Sequence, residues 1–359
     1  MDTMTLAAER LVDWRIGATA GSRVAGSGPH LTGIQRAGLA EDFAELVPKA
    51  ESMVAAFTNL DPGDRRARAW AMTRDEWLRA NLRAFERVLE PFAQKVFAEQ
   101  RTPERTAALG EVRRKTLGVQ IGGLLGYLSH RVLGQYDLFA PPDDEGVLYF
   151  VGPNVAGVER KYGFPERDFR LWISLHEVAH RVQFAGVPWL RGHLSGLVDS
   201  YLSSVELDPK RVMESLKRAI REVRTGDVEW RGLGWIFLMM TPQQRDMFQR
   251  MQAVMSLLEG HGNFVMNAVA GDQIPAASTF RQRLHERRNR GGVEKAFQKA
   301  IGFDSKVRQY DTGERFVAEV VGRVGMGGFN LVWERESNLP TLEEIARPDA
   351  WVSRVGAAS

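Results

Sequence analysis

Two histidines stand four residues apart in "LWISLHEVAHRVQF", Leu171 to Phe184, with a glutamate directly after the first. In a helix, side chains at that spacing share one face, with their β-carbons about 5–6 Å apart. His176 and His180 can then aim imidazole nitrogens at one cation, about 2.0–2.1 Å from each. Glu177 is turned about 100° from His176 and about 60° from His180. Its carboxylate therefore stands beside the ion, where it can take the proton of a water that attacks a carbonyl. A hydrogen-bonded histidine pair in an apolar core would also account for these residues. Burying three ionisable groups with no ion is costly, however, and a metal site is the stronger reading.

Two imidazoles do not complete such a site, because a catalytic zinc takes three protein ligands and keeps one position open. The chain continues after His180 as "RVQFAGVPW", which lacks the further Gly and His of the longer three-histidine pattern. The third ligand must come from elsewhere. In "TPQQRDMFQRMQAVMSLLEGHGNFVMNAV", Thr241 to Val269, a lone Glu259 interrupts an apolar face formed by Phe248, Met251, Met255, Leu258, Val265 and Met266. A carboxylate is a normal third partner to two histidines, so Glu259 is the candidate, with His261 the alternative. Asn263, four residues after Glu259, can hold a ligand imidazole through its second nitrogen. Gly260 and Gly262 weaken the helix by about 1 kcal/mol each relative to Ala, and they let another backbone or a substrate come close.

These side chains need two helices to position them. Gly163 and Pro165 precede the first, Glu166 and Asp168 fill its opening turn, and Gly186 and Pro188 end it. Thr241, Pro242 and Gln244 give the second a capping box at its start. Helical spacing also covers Arg74 to Gln100 and Ser215 to Gly226. "VLYFV", Val147 to Val151, is the best strand candidate, bounded by the turn cluster "APPDDEG", Ala140 to Gly146, and by the breaker "GPN". The turn cluster either ends an amino-terminal helical region, 1–140, ahead of a region 141–359 that carries the metal site, or is a loop within one domain.

The 359 residues include 48 Lys and Arg, 45 Asp and Glu and no cysteine. A net charge of +3 is a weak argument for nucleic acid or membrane. The arginine-rich run Arg281 to Gly292 reads as a solvated helix face, interrupted by Glu286. Without cysteine there is no disulfide and no thiolate ligand, so a metal must rest on His and carboxylate. Asp2, Glu9 and Arg10 break the apolar stretch that a signal peptide needs, and no run approaches a membrane span. The expected setting is the cytoplasm, with no nucleic-acid or membrane partner.

The pairing of "LHEVAH" with a later "LLEGHGN" resembles the glutamate-ligand branch of the zincin metallopeptidases. There the third ligand is a Glu followed four residues on by Asp. The resemblance implies His176, His180 and Glu259 as zinc ligands and Glu177 as general base. Asn263 departs from the Asp, keeping an acceptor oxygen without its charge. Over "GYLSHRVLGQYDLF", Gly126 to Phe139, and the tail Gly328 to Val355, the chain is also similar to a family of bacterial zincin-like proteins. Those have been labelled hydrolases or associated with biosynthesis of a deazaflavin coenzyme. The implied fold is mainly α with a small β element, a zincin-like architecture with its active-site cleft between two helical subdomains. By analogy "VLYFVGPN" would be the edge strand that pairs with an extended substrate. Tyr149, His193, His261 and Tyr310 are candidates for stabilising the oxyanion, and the sequence does not choose among them. The implied activity is zinc-dependent cleavage of a peptide or other amide. The rival is a binding or assembly protein that keeps the fold without turnover.

Overall fold

The computed structural model describes residues 10–99, 106–138, 147–204, 240–271, 273–289 and 306–356. The protein is mainly helical, with one three-stranded sheet among the described residues, as expected. The turn at Ala140–Gly146 and the helix expected over Ser215–Gly226 lie outside the described residues. Among the described residues, no helix is long and apolar enough to cross a membrane. The chain divides into two compact units, 1–51 with 64–178 and 52–63 with 179–359.

The first unit begins with α1 (Trp14–Ala25), whose first turn is capped by the Asp13 carboxylate accepting from the Ile16 N–H. The helix α2 (Gly33–Thr58) starts in this unit and ends in the other. Next come β1 (Arg68–Met72), α3 (Arg74–Glu99), α4 (Thr106–Leu128), β2 (Gly134–Tyr136), β3 (Val147–Val151) and α5 (Gly152–Tyr162). The helices α1 and α4 approach through Gly17 and Gly21 on one side and Gly118, Gly122 and Gly126 on the other. A Cβ on Gly122 would collide with the Gly17 carbonyl, and one on Gly126 would lie 2.5 Å from the Gly21 oxygen. Beside this seam Trp14, Trp77, Leu78, Leu125, Tyr149 and Val151 form a buried cluster.

The strand Val147–Val151 is present, but its place differs from the expected one. It is the central strand, parallel to β1 and antiparallel to β2, with Tyr149 opposite both Trp70 and Gln135. The reason is in its composition: "LYFV", Leu148 to Val151, is buried without a break. A continuous apolar run suits a strand covered on both faces, whereas one solvated face would demand alternation. One edge position belongs to β2, whose Tyr136 N–H reaches Glu177. The "GPN" breaker directly starts α5, with its proline in the first turn. The Asn154 amide donates to the Ser129 and Val132 carbonyls, both at 2.7 Å, and so fixes the turn that leads into β2.

The helix α6 (Glu166–Gly186) begins in the first unit and ends in the second. In its opening turns the buried Arg170 makes a two-pronged contact with Glu159 of α5, at 2.9 Å for each prong, and also bonds Asp42 and Glu166. A buried guanidinium held by that many carboxylates stays charged, and losing it would strand Glu159 in the core.

The second unit contains α7 (Pro188–Ser203), α8 (Pro242–Ala270), α9 (Ala277–Asn289), α10 (Lys306–Phe329), α11 (Leu342–Ala346) and α12 (Pro348–Gly356). The capping box expected at Thr241 is complete, since its hydroxyl accepts from the Gln244 N–H and the Gln244 side chain answers. Gly260 lets a backbone come close, and that backbone is α10 at Gly313, where a Cβ on either residue would overlap the other helix. Packing on more than one side widens the buried stripe of α8 to include Met247, Val254 and Leu257, while Met255 is 38% exposed. On α9, Arg281 and Arg283 pair with Glu314 and Glu286.

Candidate metal centre

The helix α6 is buried on most of its circumference by Phe169, Leu171, Trp172, Ile173, Leu175, Val178, Ala179 and Val182. Gly163 precedes it in the left-handed conformation, with φ of 64°, and ends the helix before it. This packing holds a rigid rod on which His176 and His180 stand one turn apart. Glu259, from the middle of α8, brings its Oε2 to 3.8 Å from His180 Nε2. One ligand atom from each of His176, His180 and Glu259 lies within 4.8 Å of the others, and all three residues are partly exposed. Donors about 2.0–2.2 Å from a tetrahedral ion stand roughly 3.3–3.6 Å apart, so a modest contraction would close the set. The structure brings together the three residues the sequence singled out.

The donors also present the right atoms. Gln183, fully buried, donates through its amide nitrogen to the Leu258 carbonyl at 3.0 Å. That carbonyl can only accept, which orients the amide and turns Oε1 toward His180 Nδ1, also at 3.0 Å. His180 therefore carries its proton on Nδ1 and offers the Nε2 lone pair on the Glu259 side. Two imidazoles and one carboxylate, all partly exposed, fit a zinc site.

His261 is not part of that set. It is 1% exposed, with its ring stacked on Phe329 and edge-on to Trp333. Its Nδ1 lies 2.7 Å from the Gln183 amide nitrogen. Burial, and then nearby His180, push its pKa down to about 3, so it is neutral. Nδ1 accepts and Nε2 carries the proton, with no hydrogen-bond partner for Nε2 among the described residues. His261 sits within a buried network with Gln183, Phe329 and Trp333. The Asn263 side chain makes no hydrogen bond among the described residues. The task expected of it, holding a ligand imidazole, falls at His180 to Gln183.

Glu177 is 8% exposed. Its Oε2 accepts from the Tyr136 N–H at 3.1 Å, so the edge strand β2 aims the carboxylate. Gly134 makes room for it, since a Cβ there would lie 2.6 Å from Glu177 Cγ and 2.8 Å from Oε1. Gln135, between them, exchanges amide hydrogen bonds with Asn81 of α3. Of the oxyanion candidates, Tyr149 donates its hydroxyl to Asp137 at 3.1 Å within the first unit. His193 pairs with Glu336 beside an open groove lined by Trp189, and the Tyr310 side chain lies outside the described residues.

Gln183 and Gly134 were not singled out from the sequence. A signal for Gln183 existed, an amide side chain one turn after His180 on the same helix. Gly134 gave none beyond its place in the "LGQYDL" segment.

A family model described as a zincin-like metallopeptidase matches residues 12–352. A crystal structure from Chloroflexus aurantiacus, described as a "putative hydrolase with a novel fold", is similar with a TM-score of 0.71 and 33% identity. That match covers 96% of this chain and 99% of the other. No curated protein matches. With the match spanning almost the whole chain and the two-histidine helix at its centre, the chain belongs to the zincin-like metallopeptidase family.

Proposed function

We propose that the protein is a zinc-dependent hydrolase that cleaves the amide bond of a peptide or related substrate. The observation that carries this reading is the convergence of His176, His180 and Glu259, with Glu177 next to His176 and aimed by β2. A zinc ion, when bound, supplies Lewis acidity for the substrate carbonyl. Glu177 takes the proton from the attacking water and returns it to the leaving nitrogen. The Tyr136 N–H fixes one carboxylate oxygen, so the proton acceptor is oriented before substrate arrives. The partial burial of Glu177 limits competing water around the acceptor.

The test is a panel of peptide and amide substrates incubated with the zinc-loaded protein, with and without a chelator. Chelator-sensitive cleavage is expected. Glu177→Gln should lower turnover by about 10²–10⁴-fold while zinc content, read by elemental analysis, stays the same. Turnover equal to the parent in that variant would remove Glu177 as the base. No cleavage by the parent would leave a binding protein that retains the fold.

A further inference from the structure

We infer that Gln183 is a positioning residue for the zinc ligands: its doubly anchored amide locks His180 in the Nδ1–H tautomer, so that Nε2 is held ready as a metal donor. Resting on the metal-site reading above, the inference concerns how that site is prepared. An isolated neutral imidazole prefers its proton on Nε2, so His180 needs an acceptor at Nδ1 to keep the other form. A lone amide could turn over and offer its NH₂ instead. Gln183 cannot, because its nitrogen is committed twice, to the Leu258 carbonyl at 3.0 Å and to His261 Nδ1 at 2.7 Å. Reversing the amide would set its oxygen against the Leu258 carbonyl oxygen. The buried His261 is thus the far end of the device, and its Nδ1 supplies the second acceptor that holds the amide in register.

The three bonds form a chain within the second unit: His180 Nδ1–H to Gln183 Oε1, then Gln183 Nε2–H₂ to Leu258 and to His261 Nδ1. The leftover proton sits on His261 Nε2. The arrangement ties the ligand imidazole of α6 to the backbone of α8 one residue before Glu259. The same amide that orients one ligand is therefore tied to the backbone beside another.

Two readouts test this, using the full chain labelled with ¹⁵N-histidine. In the metal-free parent, above the imidazole pKa, long-range ¹H–¹⁵N spectra should show His180 as Nδ1–H and His261 as Nε2–H. Gln183→Met, similar in volume, should shift His180 toward the Nε2–H form. Zinc affinity, measured by competition with a chromogenic chelator, should fall about 10–100-fold in that variant. An Nε2–H His180 in the parent would overturn the inference without any variant, and so would unchanged tautomer and zinc affinity in Gln183→Met. Failure of the parent to bind zinc, with the Nδ1–H tautomer intact, would instead overturn the proposed function alone.

Discussion

Glu177 owes its aim to a neighbour three residues long. Its own helix supplies only the direction of the Cα–Cβ bond, and the Tyr136 N–H and the missing side chain of Gly134 decide where the carboxylate comes to rest. Gly134→Ala should therefore displace the Glu177 side chain. A misplaced catalytic group costs up to about 10²-fold, so kcat on a cleaved substrate should fall roughly 10–100-fold with zinc content unchanged. Unaltered kcat would show that β2 does not orient the base. At this scale the sequence revealed the residues that carry chemistry by themselves, because H-E-x-x-H and a lone buried-looking Glu259 are local signals. It did not reveal Gln183 or Gly134. An amide or a glycine is informative only once its spatial neighbours are known, and those come from 75 to 78 residues away for Gln183 and about 43 for Gly134.

Helices with clear punctuation were legible as elements. α6 runs Glu166–Gly186 between the expected breakers, and α8 starts at the expected capping box. β1 and β2 were not legible, since strands of five and three residues carry too little pattern and exist through pairing with distant β3. The burial of β3 on both faces was written in "VLYFV", yet its placement at an edge came from family analogy and is corrected by the ladder. The glycine seam between α1 and α4 went unread as well, although Gly118, Gly122 and Gly126 recur every four residues. Gly122→Ala should push the two helices apart, because the new methyl meets the Gly17 backbone and no flexible side chain can give way. The expected cost is about 1–3 kcal/mol, read as a shift in chemical denaturation. A change within about 0.5 kcal/mol would show that the helices are not in such close contact.

For the molecule as a whole, the central claim is that one cation is shared by a pair of imidazoles on α6 and a carboxylate on α8. The match to zincin-like metallopeptidases over residues 12–352 gives the claim its chemical class, and the oriented His180 gives it a physical basis in this chain. The measurement that tests it most directly is anomalous diffraction at the zinc edge from crystals of the zinc-loaded protein. A single peak is expected about 2.0–2.2 Å from His176, His180 and Glu259 atoms, with His180 bound through Nε2. A peak elsewhere, or one that leaves Glu259 out of the coordination sphere, would contradict it.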